Sequence, residues 1–285
     1  MSANHRIAIG RIDYANAWPL YHYVQDRTPQ YEVVYRVPAE LNRMLREGGL
    51  DMSTVSSFAY GANADEYVLL PDLSVSSEGP VQSILLFMKK PLEDVLKGTI
   101  ALTATSATSV NLLKILMSLH LKGNPAYITG EPDLETMLRS ADAALLIGDS
   151  AIRASWSNRE LQVLDLGRLW QEWTGLGMTY AVAAVRKESA QRNPEAVDAV
   201  YRSMLASKLR SLRNLKPLIH KGVSFIGGDE MYWRGYFSGL KYDFDSGRQA
   251  GLELYFRYAR RLGLLEREVK LEFFRPTQTA EQVNE

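Results

Sequence analysis

Short apolar runs alternate with helical stretches through the first two thirds of this chain, and that order constrains the fold more than any other feature. Arg6–Ile12, Tyr31–Val37, Leu50–Val55, Val81–Met88, Thr99–Leu102, Tyr127–Thr129, Ala143–Ile147 and Met178–Val185 read as strands. Pro38–Arg46, Thr108–Leu121 and Asp133–Ser140 read as helices between them. Such an order implies an α/β fold of parallel sheets covered by helices on both faces. The last third is helical instead. Pro194–Leu215 places Val197, Val200, Tyr201, Met204 and Leu205 at helical spacing, and Met231–Leu240 and Ser246–Leu262 follow as further helices. A break near Lys89 and a return near Met178 divide the chain into two lobes. The expected bounds are residues 1–88 with 186–285 for the first lobe and 89–185 for a second lobe inserted into it. Two crossings between lobes leave a cleft, and ligands of α/β sheets bind beyond the carboxyl ends of the strands.

Composition narrows the function. The 285 residues, 46% of them hydrophobic, are enough for a sizeable core. Lys and Arg number 33, as do Asp and Glu. A neutral balance gives no electrostatic footprint for nucleic acid or an anionic membrane. The chain has no cysteine, so disulfides, thiolate metal sites and cysteine nucleophiles are excluded. His5, His22, His120 and His220 are too scattered to form a zinc motif, and no metal or other cofactor is expected. No secretory leader is expected from MSANHRIAIG, and no uninterrupted apolar run approaches the roughly 20 residues needed to span a bilayer. The expected location is the cytoplasm.

Three apolar runs end in small polar residues. Thr103–Ser109 carries five hydroxyls in seven residues and opens a helix. Thr105, Ser106, Ala107, Thr108 and Ser109 therefore form a candidate anion cradle of hydroxyls and free N–H groups, although a plain helix cap uses the same residue types. Ser56-Ser57 is a second, weaker cradle. Ser83 follows the Gly79-Pro80 turn and enters a buried strand. Gly148-Asp149 closes the run AALLI, where Asp149 reads either as a cap or as a partner for a substrate hydroxyl. Asn16, in the first strand-to-helix turn, can donate and accept. Glu78 and Asp13 are carboxylates without an assigned partner. Trp18, Tyr21, Tyr60, Trp170 and Trp173 read as core or hinge packing.

Together these segments resemble the chorismate dehydratase family of the futalosine route to menaquinone. The resemblance rests on IDYANAWPLY (12–21), VPAELNRMLREGGLDMSTVSSFAY (37–60), LPDLSVSSEGPVQSILLF (70–87), ALTATSATSVNLLKIL (101–116), DAALLIGDSAI (142–152) and LGRLWQEWTGLGMTYAVAAVR (166–186). It implies a two-lobed periplasmic-binding-protein-like fold with a ligand cleft between the lobes. It also implies a hydro-lyase reaction, in which chorismate loses water to give 3-[(1-carboxyvinyl)oxy]benzoate. On this view the hydroxyl clusters take the two carboxylates of the substrate, and Asn16 and Asp149 serve the reacting centre. The base is either the substrate's own enolpyruvyl carboxylate or a protein carboxylate, Glu78 or Asp149. Three alternatives use similar lobes: a non-catalytic solute-binding protein, the sister enzyme that cleaves a cyclic futalosine derivative to a dihydroxynaphthoate, and a ligand-sensing regulatory domain. The first is normally exported. The second is disfavoured by SSEGPVQSILLF and TSATSV, and the third lacks a DNA-binding segment.

Overall fold

The computed structural model describes residues 6–36, 38–104 and 106–276. Val37 and Thr105, each part of an expected element or site, lie outside them. In chain order the elements are β1 (Ile7–Arg11), α1 (Trp18–Tyr21), β2 (Tyr31–Tyr35), α2 (Pro38–Glu47), β3 (Met52–Ser56), α3 (Ser57–Ala62), β4 (Tyr67–Ser77), β5 (Ile84–Met88), α4 (Leu92–Val95), β6 (Thr99–Thr103), α5 (Ala107–Ile115), β7 (Ala126–Gly130) and α6 (Leu134–Ser140). There follow β8 (Ala143–Ile147), α7 (Gly148–Ser157), β9 (Gln162–Asp165), α8 (Leu166–Thr174), β10 (Met178–Arg186), α9 (Lys187–Arg192), α10 (Pro194–Arg213), α11 (Lys216–Phe225), α12 (Glu230–Gly239), β11 (Leu240–Lys241) and α13 (Ser246–Arg261).

The strands form two sheets, one of six strands in the order β11-β4-β10-β3-β1-β2 and one of five in the order β7-β6-β8-β5-β9. The expectation of parallel sheets holds in part. β1 pairs parallel with β2 and β3, and β6 with β7 and β8. The strands beside each passage between sheets run antiparallel: β10 against β3 and β4, and β5 against β8 and β9. Sheet membership also moves the expected lobe bounds at 88/89 and 185/186. β5 belongs to the second sheet and β10 to the first. The break in sequence character at Lys89 marks the end of the first strand after a crossing, because a crossing strand must hydrogen-bond into the sheet it enters.

Alternation along the strands builds the core. In β5, Ile84, Leu86 and Met88 face the main core, while Leu85 and Phe87 face a smaller cluster with Met137 of α6. Trp18, Tyr21, Tyr60 and Trp170 are buried in the main core, as their type suggests.

The longest strand, β4, does not stand out in the sequence, because YVLLPDLSVSS places Pro71-Asp72 in its middle and proline is expected at strand edges. The structure resolves the conflict with an irregularity. The register with β10 shifts between Leu69 and Ser74, and Asp72 takes φ +55°. The displaced Asp72 becomes an anchor, accepting from the buried Lys208 Nζ at 2.6 Å and from the Phe244 N–H at 3.1 Å.

Two devices join the lobes. Asp165, the N-cap of α8, takes the N–H groups of Gly167 and Arg168 and also those of Val81 and Gln82, which pins the passage into β5. The α11–α12 hairpin straps both sides. Lys221 Nζ reaches Asp13 at 3.1 Å in the first lobe, and Arg153 of α7 donates to the Phe225 and Ile226 carbonyls. Trp233 packs between Trp18 and Trp156, with ring centroids at 6.4 and 6.2 Å.

Candidate active site

The carboxyl ends of β1, β3, β6 and β8 meet at one cavity, joined there by the start of β5 and by Tyr180 of β10. It holds about 730 Å³ of space, its open mouth included. No described residue lining it is Asp, Glu, His, Lys or Arg. Its polarity comes from hydroxyls, carboxamides and the N–H groups of helix starts.

Asn16 lies on the 3-10 turn Ala15–Ala17 that follows β1 and lines the cavity. Asn42 lines it from α2. Neither side chain has a hydrogen-bond partner among the described residues. Both are half-buried at the cavity edge, where an amide can donate to or accept from a ligand's oxygens.

The hydroxyl clusters divide. Ser106 caps α5, accepting from the Ser109 N–H at 3.3 Å and donating to Ser109 Oγ at 3.1 Å. The Ser109 proton is then left for the cavity, which Ser106, Ala107 and Ser109 all line. Ser56 lines it too and caps α3 through Ala59 N–H at 3.3 Å. Two expected contacts are structural instead. Ser57 Oγ donates to the Thr179 carbonyl at 2.7 Å, deep beside the first sheet. Thr108 Oγ1 accepts from the Phe58 N–H at 2.9 Å and so ties the starts of α5 and α3 together. A hydroxyl at a helix start serves whichever partner lies closer, and here those partners are backbone groups.

Gly148 takes φ +58° between β8 and α7, and its N–H donates to the Ser83 carbonyl at 2.7 Å. Both Gly148 and Ser83 line the cavity. Asp149 stands behind that wall. Its Oδ1 accepts from the Ala15 N–H at 3.4 Å, a contact between lobes, and it is not the cap of α7. Burial raises the Asp149 carboxyl above the ordinary aspartate range, opposed in part by the Ala15 N–H, Arg153 and Lys221 and reinforced by Asp13. The folded state therefore disfavours the charged form. The resulting instability is absent below the ordinary aspartate range and complete above the raised folded value. Asp149→Asn should raise the melting temperature at neutral pH, and that gain should disappear below about pH 4. A gain equal at all pH values would mean that Asp149 carries no such penalty.

Of the two other carboxylates, Glu78 pairs with buried Arg248 at 3.0 Å and Asp13 with Lys221 at 3.1 Å. Neither lines the cavity. The sequence did not mark Tyr14, Asn42, Thr54 or Tyr180 as lining residues. Tyr14 adjoins Asn16, and Thr54 adjoins Ser56, so both lie within reach of a motif. Asn42 is one polar position on an amphipathic helix and carries no signal. Among the described residues no three His, Asp or Glu side chains come together as a metal site, and no helix is long and apolar enough to cross a membrane.

Comparison with known proteins gives the family and the fold. A family model described as menaquinone biosynthesis matches residues 7–261. The chorismate dehydratase of Thermus thermophilus is 34% identical over 271 residues, covering 90% of this chain and 95% of its own. Among solved structures, a protein of Archaeoglobus fulgidus superposes with a TM-score of 0.75 at 19% identity, covering 93% of this chain and all of its own. The periplasmic aliphatic sulphonate binding protein of Escherichia coli superposes with a TM-score of 0.68 at 15% identity, covering 98% and 95%. These likenesses establish a periplasmic-binding-protein-like fold.

Proposed function

The chain belongs to the menaquinone biosynthesis family, and from that premise we propose that it is a chorismate dehydratase, a cytoplasmic hydro-lyase. It would convert chorismate to 3-[(1-carboxyvinyl)oxy]benzoate and water, the first step of the futalosine route. The observation that carries the reading is the cavity itself, which offers hydroxyl and amide donors and no charged side chain. Such a wall suits a dicarboxylate held by oriented dipoles.

In this reading Ser106 and Ser109 with the start of α5, and Ser56 with the start of α3, take the carboxylates. Asn16 and Asn42 orient the substrate and steady the charge that develops. The proton leaves the ether-bearing ring carbon, its electron pair forms the new ring double bond, and the neighbouring hydroxyl departs. Proton and hydroxyl together balance as water, and aromatisation supplies the driving force. No described residue of the wall is a carboxylate, imidazole or amine, and on this reading the base is the substrate's own enolpyruvyl carboxylate. Asp149 acts through the Ala15 N–H, fixing the turn that presents Asn16. The two lobes, divided between β4 and β5 and between β9 and β10, close on the substrate.

Incubation of the purified protein with chorismate tests this. The expected product is the enolpyruvyl benzoate, formed without added metal or nucleotide. Unchanged chorismate in the presence of folded protein, with or without divalent metal, would sink the reading.

A further inference from the structure

Ser83, in the cavity wall, has its hydroxyl in contact with a residue of the C-terminal helices. Its side chain is 1% exposed, and its oxygen carries two contacts. Tyr236 Oη of α12 donates to Ser83 Oγ at 3.1 Å, and Ser83 Oγ faces the Val81 carbonyl at 3.3 Å. Tyr236 is itself 1% exposed, and Ser83 is its one hydrogen-bond partner among the described residues. A buried phenol needs an acceptor, so Ser83 must supply a lone pair. Its own proton is left with the Val81 carbonyl at 3.3 Å, long for an O–H···O bond, whose usual length is about 2.7–2.8 Å. An anionic oxygen in the cavity is a better acceptor than that carbonyl. The backbone of Ser83 is fixed separately by the Gly148 N–H, so Tyr236 has only the hydroxyl rotor left to set.

We propose that Tyr236 is a positioning residue: it occupies the acceptor side of Ser83 Oγ, so that Ser83 presents its proton to the substrate. The inference rests on the chorismate dehydratase reading and adds to it a control from outside the cavity. Donation from Tyr236 also polarises the Ser83 O–H and makes it a stronger donor. The departing ring oxygen gains negative charge as the C–O bond breaks, and a donor strengthened in this way helps most at that moment. Tyr236 belongs to the hairpin that straps both lobes, so Ser83 would donate fully only when the hairpin is seated.

A double-substitution cycle tests the proposal. Ser83→Ala should lower kcat by about 10²-fold, the scale of one lost charge-stabilising donor. Tyr236→Phe keeps the ring and its packing on Trp233 and Phe237. It should lower kcat by about tenfold with KM nearly unchanged, the scale of one neutral hydrogen bond. In the Ser83→Ala background, Tyr236→Phe should cost nothing more, because its route of action is gone. Stability gives a second reading that does not require turnover. Ser83→Ala strands the buried phenol and should lower the melting temperature, and adding Tyr236→Phe should recover most of the loss. The double variant strands no buried group, so it folds even if a single variant does not. Tyr236→Phe with wild-type kcat, or costs that add in the double variant, overturns the proposal. Wild-type protein that leaves chorismate unchanged overturns the functional reading on which it rests.

Discussion

Asn16→Asp should leave a well-folded protein whose turnover of chorismate falls by roughly 10²-fold or more, the scale of losing one charge-stabilising donor. The substitution preserves size and changes only chemistry. The Asn16 amide has no partner among the described residues, so its removal breaks no internal hydrogen bond. The new carboxylate replaces two N–H donors with a negative charge that faces a dianion across a cavity without compensating cations. Repulsion and the missing donor act in the same direction. Turnover and melting temperature measured on one preparation separate this role from a structural one. A lowered melting temperature with near-normal turnover would place Asn16 among the turn residues.

Gly167→Ala should cost on the order of 3 kcal/mol of stability and weaken the site at the same time. Gly167 lies in the first turn of α8, where alanine's better helix propensity would favour the change by about 1 kcal/mol. Packing opposes it. An added methyl would meet the Gly79 carbonyl at 2.6 Å and Ser77 Oγ at 3.0 Å, and would overlap Tyr180 Oη. Gly79 is backbone, and Ser77 and Tyr180 are joined by a buried hydrogen bond of 2.9 Å, so none of the three can rotate away cheaply. The clash outweighs the propensity. Tyr180 lines the cavity, so any shift that relieves the clash also reshapes the site. Chemical unfolding with an unchanged denaturant slope checks the loss. A variant as stable as the parent would mean that the passage into β5 is softer than its packing implies.

Much of this was legible in the sequence, for physical reasons that differ by residue. The start of α5 stood out because Ser106 and Ser109 crowd hydroxyls where a helix leaves four N–H groups unpaired. Yet the same pattern promoted Ser57 and Thr108, whose partners, Thr179 and Phe58, are 122 and 50 residues away. Local chemistry says that a hydroxyl will find an acceptor or donor, but not whether that partner is a ligand. Glu78 looked free for the same reason, since Arg248 lies 170 residues downstream. β4 stayed hidden because Pro71-Asp72 breaks the local strand signal, and the anchoring of Asp72 by Lys208 is visible only in three dimensions. Asn42 carried no mark at all. Its role follows from where α2 is packed.

The arrangement of the two sheets also fixes an order of assembly. The five-stranded sheet is drawn from one unbroken stretch, Ile84–Asp165. All its strands are therefore available soon after that stretch leaves the ribosome, and none of its pairings waits for a later part of the chain. The six-stranded sheet must wait. β4 has no neighbour until β10 is synthesised about a hundred residues later, and its other edge stays bare until β11 arrives, at Leu240–Lys241. During that interval an eleven-residue strand rich in valine and leucine stands with both edges unpaired, the condition in which nascent chains associate with one another. The Pro71-Asp72 irregularity interrupts that edge midway, so the feature that hid β4 from the sequence also protects the growing chain.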